Sequence, residues 1–289
     1  MTEPITRENY SNYDSSLDVF AVNRILLVWF LAFSGAYVIL PEADWTDLFV
    51  AVGMVCTLWL LTKRGKNRFL SLAGIRKKVN LIAVVGILLL SLLAETGLIL
   101  FFEAFAPQQL DAIALVQTPS TRAFILALLS IGLLTPFIEE YLFRWVMLRA
   151  FASVRSPLFA ALFSSFLFAL AHGSPVYAVI VFPMGFMLAL FVLKTRQLGV
   201  AVLVHILFNI YALTVTQFLM VPETSTEVLA TPLVGVGGLA IALGALLLAI
   251  LWLGFPSRKA STRGPLWSAS LVLFILINAA FSIVVTFSV

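Results

Sequence analysis

Long apolar stretches recur along the whole chain, and they restrict its fold more than any other feature. A helix needs about 20 mostly apolar residues to cross the hydrocarbon core of a bilayer. Most of the stretches approach that length, and the second and fifth are the shortest. We therefore expect an all-α, polytopic membrane helical bundle with nine transmembrane helices, or eight if one short stretch does not cross. The stretches lie near residues 20–40, 48–62, 79–104, 123–149, 157–171, 176–193, 198–220, 233–254 and 266–288.

The composition agrees with a membrane protein. Hydrophobic residues make up 62% of the chain and charged residues 11%, whereas about a quarter of a soluble domain is charged. No small-residue cleavage site follows a short apolar core near the start, so we expect no removable signal peptide and a first span that acts as its own anchor. No internal repeat or long soluble connection is visible. We expect residues 1–289 to form a single integral membrane domain.

The basic residues predict the orientation of the bundle. Sixteen of the 18 Lys and Arg residues lie in the N-terminal segment or after an even-numbered stretch. By the positive-inside rule, the N-terminus and these basic loops are cytoplasmic. The net charge of +4 then reflects topology, so the expected environment is a lipid bilayer, the cell membrane of a prokaryote, with no nucleic-acid partner. The residues are Arg7, Arg24, Lys63, Arg64, Lys66, Arg68, Arg76, Lys77, Lys78, Arg149, Arg155, Lys194, Arg196, Arg258, Lys259 and Arg263.

Three charged residues lie inside the fourth apolar stretch: Glu139, Glu140 and Arg144. An ionisable group in hydrocarbon costs about 3 kcal/mol by insertion scales, so such residues usually mark a buried site. Glu140 and Arg144 are four residues apart and can pair on one helix face. Glu139 points about 100° away from that pair and is the carboxylate left free for chemistry. Pro136 cannot donate to the preceding turn, which predicts a kink or loosened turn just before the acids.

The two histidines of the chain lie in other apolar stretches. His172 follows Phe168 by four residues, and His205 precedes Asn209 by four, so each pair presents one helix face. Counting from the cytoplasmic ends places Glu139, both histidines and Asn209 about 12 to 22 Å deep. Three helices can therefore meet at one level near the middle of the membrane.

Each of these features alone also fits a structural role. A Glu and Arg pair at this spacing is more often a stabilising contact, and a lone intramembrane histidine usually bonds a neighbouring helix. Two adjacent acids, both histidines and an amide at compatible depths favour a functional site instead. Glu95, an acid in the third stretch without a basic partner nearby in sequence, is expected to be protonated or bonded to another helix. Pro183 and Gly185 predict a kinked sixth helix.

The three motifs resemble those of the CAAX protease and bacteriocin-processing family, also called CPBP or Abi. Glu139-Glu140-x-x-x-Arg144 is similar to the first family motif, Phe168-x-x-x-His172 to the second and His205-x-x-x-Asn209 to the third, in the same order. Together they define a CPBP-like catalytic core at residues 120–212. The flanking stretches carry no such resemblance.

The resemblance implies an intramembrane endopeptidase that acts on a membrane-associated or lipidated protein or peptide. It assigns water activation to Glu139 and His172 and the oxyanion hole to His205 and Asn209. Glu140, Arg144 and Phe168 would support the site, and no cofactor or metal is implied. These roles are chemically reasonable, because a positioned base contributes about 10² to 10⁴ in rate and an oxyanion donor about 10² to 10³.

Three other functions remain open at this point. Two histidines and two carboxylates are the ligand types of a zinc-dependent intramembrane metalloprotease, although the His-Glu-x-x-His pattern is absent. Intramembrane Glu, His and Arg also occur in proton- or ion-coupled transporters, although the chain lacks the repeated halves typical of many of them. A third possibility is an inactive scaffold that presents the site to a client protein.

Overall fold

All regular secondary structure in the described part of the chain is helical, as the apolar stretches predict. The computed structural model describes residues 19–39, 48, 50–56, 79–111, 118, 120–218, 231–254 and 265–287. The predicted all-α membrane bundle is therefore confirmed. In chain order the helices are α1 (Val19–Ile39), α2 (Leu81–Phe105), α3 (Pro107–Asp111), α4 (Thr121–Val154), α5 (Pro157–Leu170), α6 (Pro175–Thr195), α7 (Leu198–Phe218), α8 (Pro232–Leu253) and α9 (Ala269–Phe287).

Five of the described helices are long and apolar enough to cross a membrane: α2, α4, α6, α7 and α8. Helix α5 comes from the short fifth stretch and has 14 residues. It is about 21 Å long, against about 30 Å of hydrocarbon. Helices α1 and α9 have 21 and 19 residues, and their segments Val19–Ala32 and Ala269–Ala280 are apolar. The second predicted stretch, 48–62, lies partly outside the described residues, so eight or nine spans remains a prediction.

Three of the helices begin with the same local sequence, a hydroxyl residue followed by proline. Ser156, Ser174 and Thr231 are the N-caps of α5, α6 and α8, and each side chain accepts a hydrogen bond from the backbone N–H three residues later. The next residue in each case is proline, whose fixed φ and missing N–H suit the first helical position. These dipeptides separate neighbouring apolar stretches into distinct helices.

Helix α6 forms the centre of the bundle. In its apolar window 78% of the residues are buried, against 28–44% in the other four long spans. Pro183 lies inside α6, which is one uninterrupted helix from Pro175 to Thr195. The outer helices expose large side chains such as Ile82 and Leu233, as expected for a surface in contact with lipid.

Helices α2 and α8 pack through small residues. A Cβ atom added at Gly238 would lie 2.5 Å from the Gly97 carbonyl oxygen and 2.8 Å from the Leu100 Cβ. Ala94 and Ala242 are buried near the same contact. Small residues allow two helices in a membrane to approach until their backbones touch, which compensates for the weak hydrophobic driving force in lipid.

Helix α4 contains two π-helical segments, Leu128–Leu134 and Glu140–Met147. They flank one short α-helical segment, Thr135–Glu139, that contains Pro136. The loosened turn predicted at Pro136 is therefore present, and it extends over more of the helix than the proline alone predicts. Such wide turns are rare and occur often at functional sites.

Candidate active site

Glu140 and Arg144 form the ion pair that their spacing predicts. Both side chains are fully buried, and Arg144 Nη1 lies 3.1 Å from Glu140 Oε1. The same oxygen accepts a hydrogen bond from His205 Nδ1 at 2.9 Å. One carboxylate oxygen thus links α4 to α7 and compensates the buried guanidinium at the same time.

Aromatic side chains cover the Arg144 guanidinium. Its central carbon lies 4.0 Å from the centre of the Phe168 ring and 6.0 Å from that of Phe143. The short distance to Phe168 is a cation–π contact, which is strongest where water is excluded. A Cβ atom at Gly185 would lie 2.8 Å from Arg144 Nη2. Gly185 therefore makes room for the guanidinium, a role that the predicted kink in the sixth helix did not include.

Glu139 lies beside His205 and is more exposed than the neighbouring Glu140. Its side chain is 12% exposed, and its Oε2 is 3.7 Å from His205 Nε2. This separation is too long for a direct hydrogen bond. It is short enough for a single water molecule or substrate oxygen to contact both groups. His205 thus points one ring nitrogen at each of the two glutamates.

His172 occupies the turn that connects α5 and α6. Its Nδ1 lies 2.9 Å from the Phe168 carbonyl oxygen. Because a carbonyl can only accept, Nδ1 carries the proton of this contact, and the neutral ring then has its lone pair on Nε2. Glu139, Arg144 and His205 are all close enough to act electrostatically on the ring. No direct hydrogen bond joins His172 to Glu139 among the contacts of the described residues.

Phe168 connects the separate parts of the site. Its ring is fully buried and has edge contacts with both histidine rings, at centroid distances of 4.8 Å to His172 and 5.7 Å to His205. Together with the Arg144 contact, these positions make Phe168 a common wall for the charged residues and both imidazoles. The structure therefore brings the first, second and third sequence motifs together.

Asn209 binds the backbone of α4. Its Nδ2 donates to the Ile131 carbonyl oxygen at 3.0 Å. Ile131 belongs to the first π-helical segment of α4, so Asn209 and His205 contact the same helix from successive turns of α7. The second N–H of the Asn209 amide is not used in this bond.

Sequence reasoning missed one neighbour of the site, Tyr177. Its ring packs on edge against His172 at a centroid distance of 5.3 Å, because Tyr177 lies in the first turn of α6, directly after the histidine turn. Glu95 on α2 is close enough to act electrostatically on Tyr177. The sequence signal was the short spacing between His172 and the next helix start.

In the part of the chain that the structure describes, no group of three or more His, Cys, Asp or Glu side chains is arranged to hold a metal ion. The two histidines and two glutamates instead contact each other, Arg144 and the backbone.

Comparison with known proteins adds one match. A family model described as "Type II CAAX prenyl endopeptidase Rce1-like" matches residues 121–211, about a third of the chain. This segment runs from the start of α4 into α7 and includes all three motifs. No curated protein matches the chain, and neither does any solved structure. The long apolar helices indicate an integral membrane protein, and its residues 121–211 are similar to CAAX-type prenyl endopeptidases.

Proposed function

We propose that the protein hydrolyses peptide bonds of a membrane-associated or lipidated protein or peptide inside the bilayer, with residues 120–212 as its catalytic core. The observation that carries this proposal is the contact of His205 with both Glu139 and Glu140 in an otherwise apolar bundle. Buried charges are kept in a membrane protein where they support function, since each is costly in hydrocarbon.

Glu139 and His172 activate the attacking water in this proposal. Glu139 is the more exposed acid of the pair, so it can receive water while Glu140 remains paired with Arg144. The Nδ1 contact of His172 leaves Nε2 as the ring atom that accepts a proton. The peptide bond would be attacked by the water oxygen, with its proton passing to Glu139 or His172 and then to the leaving amine.

His205 and Asn209 stabilise the oxyanion that forms on the carbonyl carbon. Glu140 fixes the His205 ring through Nδ1, which aims Nε2 at the space beside Glu139. Because Nδ1 donates to Glu140, Nε2 donates to the oxyanion when the ring has a proton on both nitrogens. Asn209 has one N–H that its bond to Ile131 does not use. Donors held in advance in a water-poor site contribute about 10² to 10³ each.

Glu140, Arg144 and Phe168 support this arrangement without touching the substrate. Glu140 and Arg144 neutralise each other, and Phe168 covers the cation. The paired charges hold α4 rigid beside Glu139, and the aromatic wall excludes water from the back of the site. Such preorganised surroundings keep catalytic groups in the geometry that the reaction needs.

The proposed orientation has the N-terminus and the basic loops in the cytoplasm of a prokaryotic cell. Three long-range contacts support a topology in which successive helices cross the membrane in opposite directions. Asn23 of α1 binds the Leu266 carbonyl just before α9, at ends predicted to be cytoplasmic. Lys194 of α6 binds the Leu253 carbonyl at the end of α8, also on that side. Gln217 of α7 binds Thr118 before α4, at ends predicted to be external. No nucleic acid enters this proposal.

The test compares purified wild type with Glu139→Gln and His172→Ala on a fluorogenic peptide library and its prenylated counterparts, in lipid. Glu103→Gln is the matched control, because Glu103 lies on α2 within the same membrane part. We expect both site variants to lose about 100-fold or more in kcat/KM, while Glu103→Gln cleaves like wild type.

Wild-type rates in Glu139→Gln would contradict the proposal. Activity that is lost to a chelator and restored by zinc would support the metalloprotease alternative. Proton-coupled solute uptake into proteoliposomes, without peptide cleavage, would support the transporter alternative. Folding of every variant is checked by thermal unfolding in the same lipid.

A further inference from the structure

The hydrogen bond between Asn209 and Ile131 joins two helices at a place where α4 cannot complete its own backbone ladder. Asn209 Nδ2 lies 3.0 Å from the Ile131 oxygen, although the two residues are 78 positions apart. Helix backbone carbonyls normally bond an N–H of their own helix. The Ile131 carbonyl instead binds a side chain of α7.

Pro136 provides the reason. At the end of the first π-helical segment, the Thr135 N–H bonds the Ser130 carbonyl, five residues back. In the same register the next carbonyl, that of Ile131, would receive the N–H of residue 136. Residue 136 is proline, which has no N–H. The Ile131 carbonyl therefore loses its intrahelical donor, and the Asn209 amide takes that place.

The surrounding packing fits this contact. A Cβ atom at Gly132 would meet Ile210 Cγ1 at 3.4 Å and Leu213 Cδ1 at 3.6 Å. These are ordinary van der Waals distances, so α7 packs directly against the π-helical turn, and the Asn209 side chain reaches the Ile131 carbonyl. One turn earlier on the same face of α7, His205 contacts Glu139 and Glu140.

We propose that Asn209 is a positioning residue that uses the carbonyl freed by Pro136 to hold α7 in register with α4, so that His205 meets both glutamates. In addition to the oxyanion contact proposed above, Asn209 acts through His205, and this second role is needed in the substrate-free protein. Pro136 and Asn209 work as a pair: the proline creates an acceptor on α4, and the amide connects it to α7. The effect on cleavage rests on the proposed function, but the effect on His205 does not.

The presence of only two histidines makes this proposal testable by NMR. Protein labelled with ¹⁵N-histidine gives two imidazole signal sets, which a His172→Gln variant assigns. We expect Asn209→Ala to move the His205 signals of the substrate-free protein and to leave the His172 signals largely in place. Asn278→Ala, which removes another buried amide bonded to a carbonyl of its own helix, is the matched control and should leave His205 unchanged.

The decisive variant is the double change Pro136→Ala with Asn209→Ala. An alanine in place of Pro136 restores a backbone N–H near Ile131, so the His205 signals should return towards their wild-type positions. Cleavage should recover by about threefold or more relative to Asn209→Ala alone, a coupling that independent sites would not show. If Asn209→Ala does not fold, Asn209→Gln is measured with and without Pro136→Ala, since the longer side chain keeps the amide donor but misplaces it.

Two results would overturn the proposal. One is an unchanged set of His205 signals in a folded Asn209→Ala protein, which would leave Asn209 with a role only in the presence of substrate. The other is a double variant in which both the His205 signals and the cleavage rate stay at the Asn209→Ala values.

Discussion

Glu140 acts on two partners through one oxygen atom. Its Oε1 lies 3.1 Å from Arg144 Nη1 and 2.9 Å from His205 Nδ1. Glu139 does not share this arrangement, since its Oε2 lies 3.7 Å from His205 Nε2, too far for a direct hydrogen bond. At the residue scale the two adjacent acids therefore have different duties, and removing either should produce a different defect.

Glu140→Ala should destabilise the protein far more than Glu139→Ala. It leaves the fully buried Arg144 without its counter-charge, and breaking one partner of a buried ion pair typically costs about 3–5 kcal/mol. The free energy of unfolding of both variants, measured in the same lipid, checks this difference.

A matched double variant separates the loss of charge pairing from the loss of packing. Replacing both partners by apolar residues, Glu140→Leu with Arg144→Met, should recover most of the stability, because no isolated charge remains in the core. Equal unfolding free energies for Glu139→Ala and Glu140→Ala would contradict the division of duties between the two acids.

Gly185→Ala should also destabilise the site, by about 1–3 kcal/mol. The added Cβ would lie 2.8 Å from Arg144 Nη2 and 3.0 Å from Phe168 Cδ1, so it pushes the guanidinium off the Phe168 ring. Gly244→Ala is the control, because a Cβ there has nothing within 4 Å. Thermal unfolding should separate the two variants, and equal melting temperatures would argue against this close contact.

At the scale of whole helices, the spacing of residues within one helix predicted contacts correctly. It did not predict contacts between helices that are far apart in the sequence. The Glu140 and Arg144 pair lies within one helix, so the i, i+4 rule was sufficient. The bond from His205 to Glu140 crosses 65 residues, and it depends on how α7 packs on α4. The bond from Asn209 to the Ile131 carbonyl also depends on the π-helical turns of α4. Residue propensities do not predict where such turns occur, and the sequence indicated only a loosened turn at Pro136.

The packing of α2 against α8 leads to a third prediction. Gly238→Ala should destabilise the bundle by about 1–3 kcal/mol, because the new Cβ would overlap the Gly97 carbonyl and the Leu100 side chain. The neighbouring Gly237→Ala places its Cβ in open space and should be neutral or slightly stabilising, since alanine favours helix. Unfolding in lipid measures both, and a harmless Gly238→Ala would show that the two helices can separate without loss.

For the molecule as a whole, the apolar stretches predicted the fold class, but they did not fix the number of membrane-spanning helices. A stretch such as 157–171 has the composition of a spanning helix, but its helix ends at Leu170 because a polar turn with His172 follows. Hydropathy measures the preference for lipid along the chain, whereas the depth of a helix depends on its packing partners. The charged residues between the stretches give independent information about orientation, since loops rich in Lys and Arg stay on the cytoplasmic side of a membrane.

The orientation of the chain yields the last prediction, which uses its single cysteine, Cys56. In a Cys56→Ser background, new cysteines at Lys66 and Lys259 should react with a membrane-impermeant maleimide only after the cells are permeabilised. Cysteines at Thr121 and Glu227 should react in intact cells. The positive-inside rule places the first pair in the cytoplasm and the second pair outside, and the hydrogen bond from Lys194 to Leu253 joins two helix ends that this rule places on the same side. A reversed pattern would invert the bundle, whereas reaction of Thr121 and Glu227 on opposite sides would require a different number of spans.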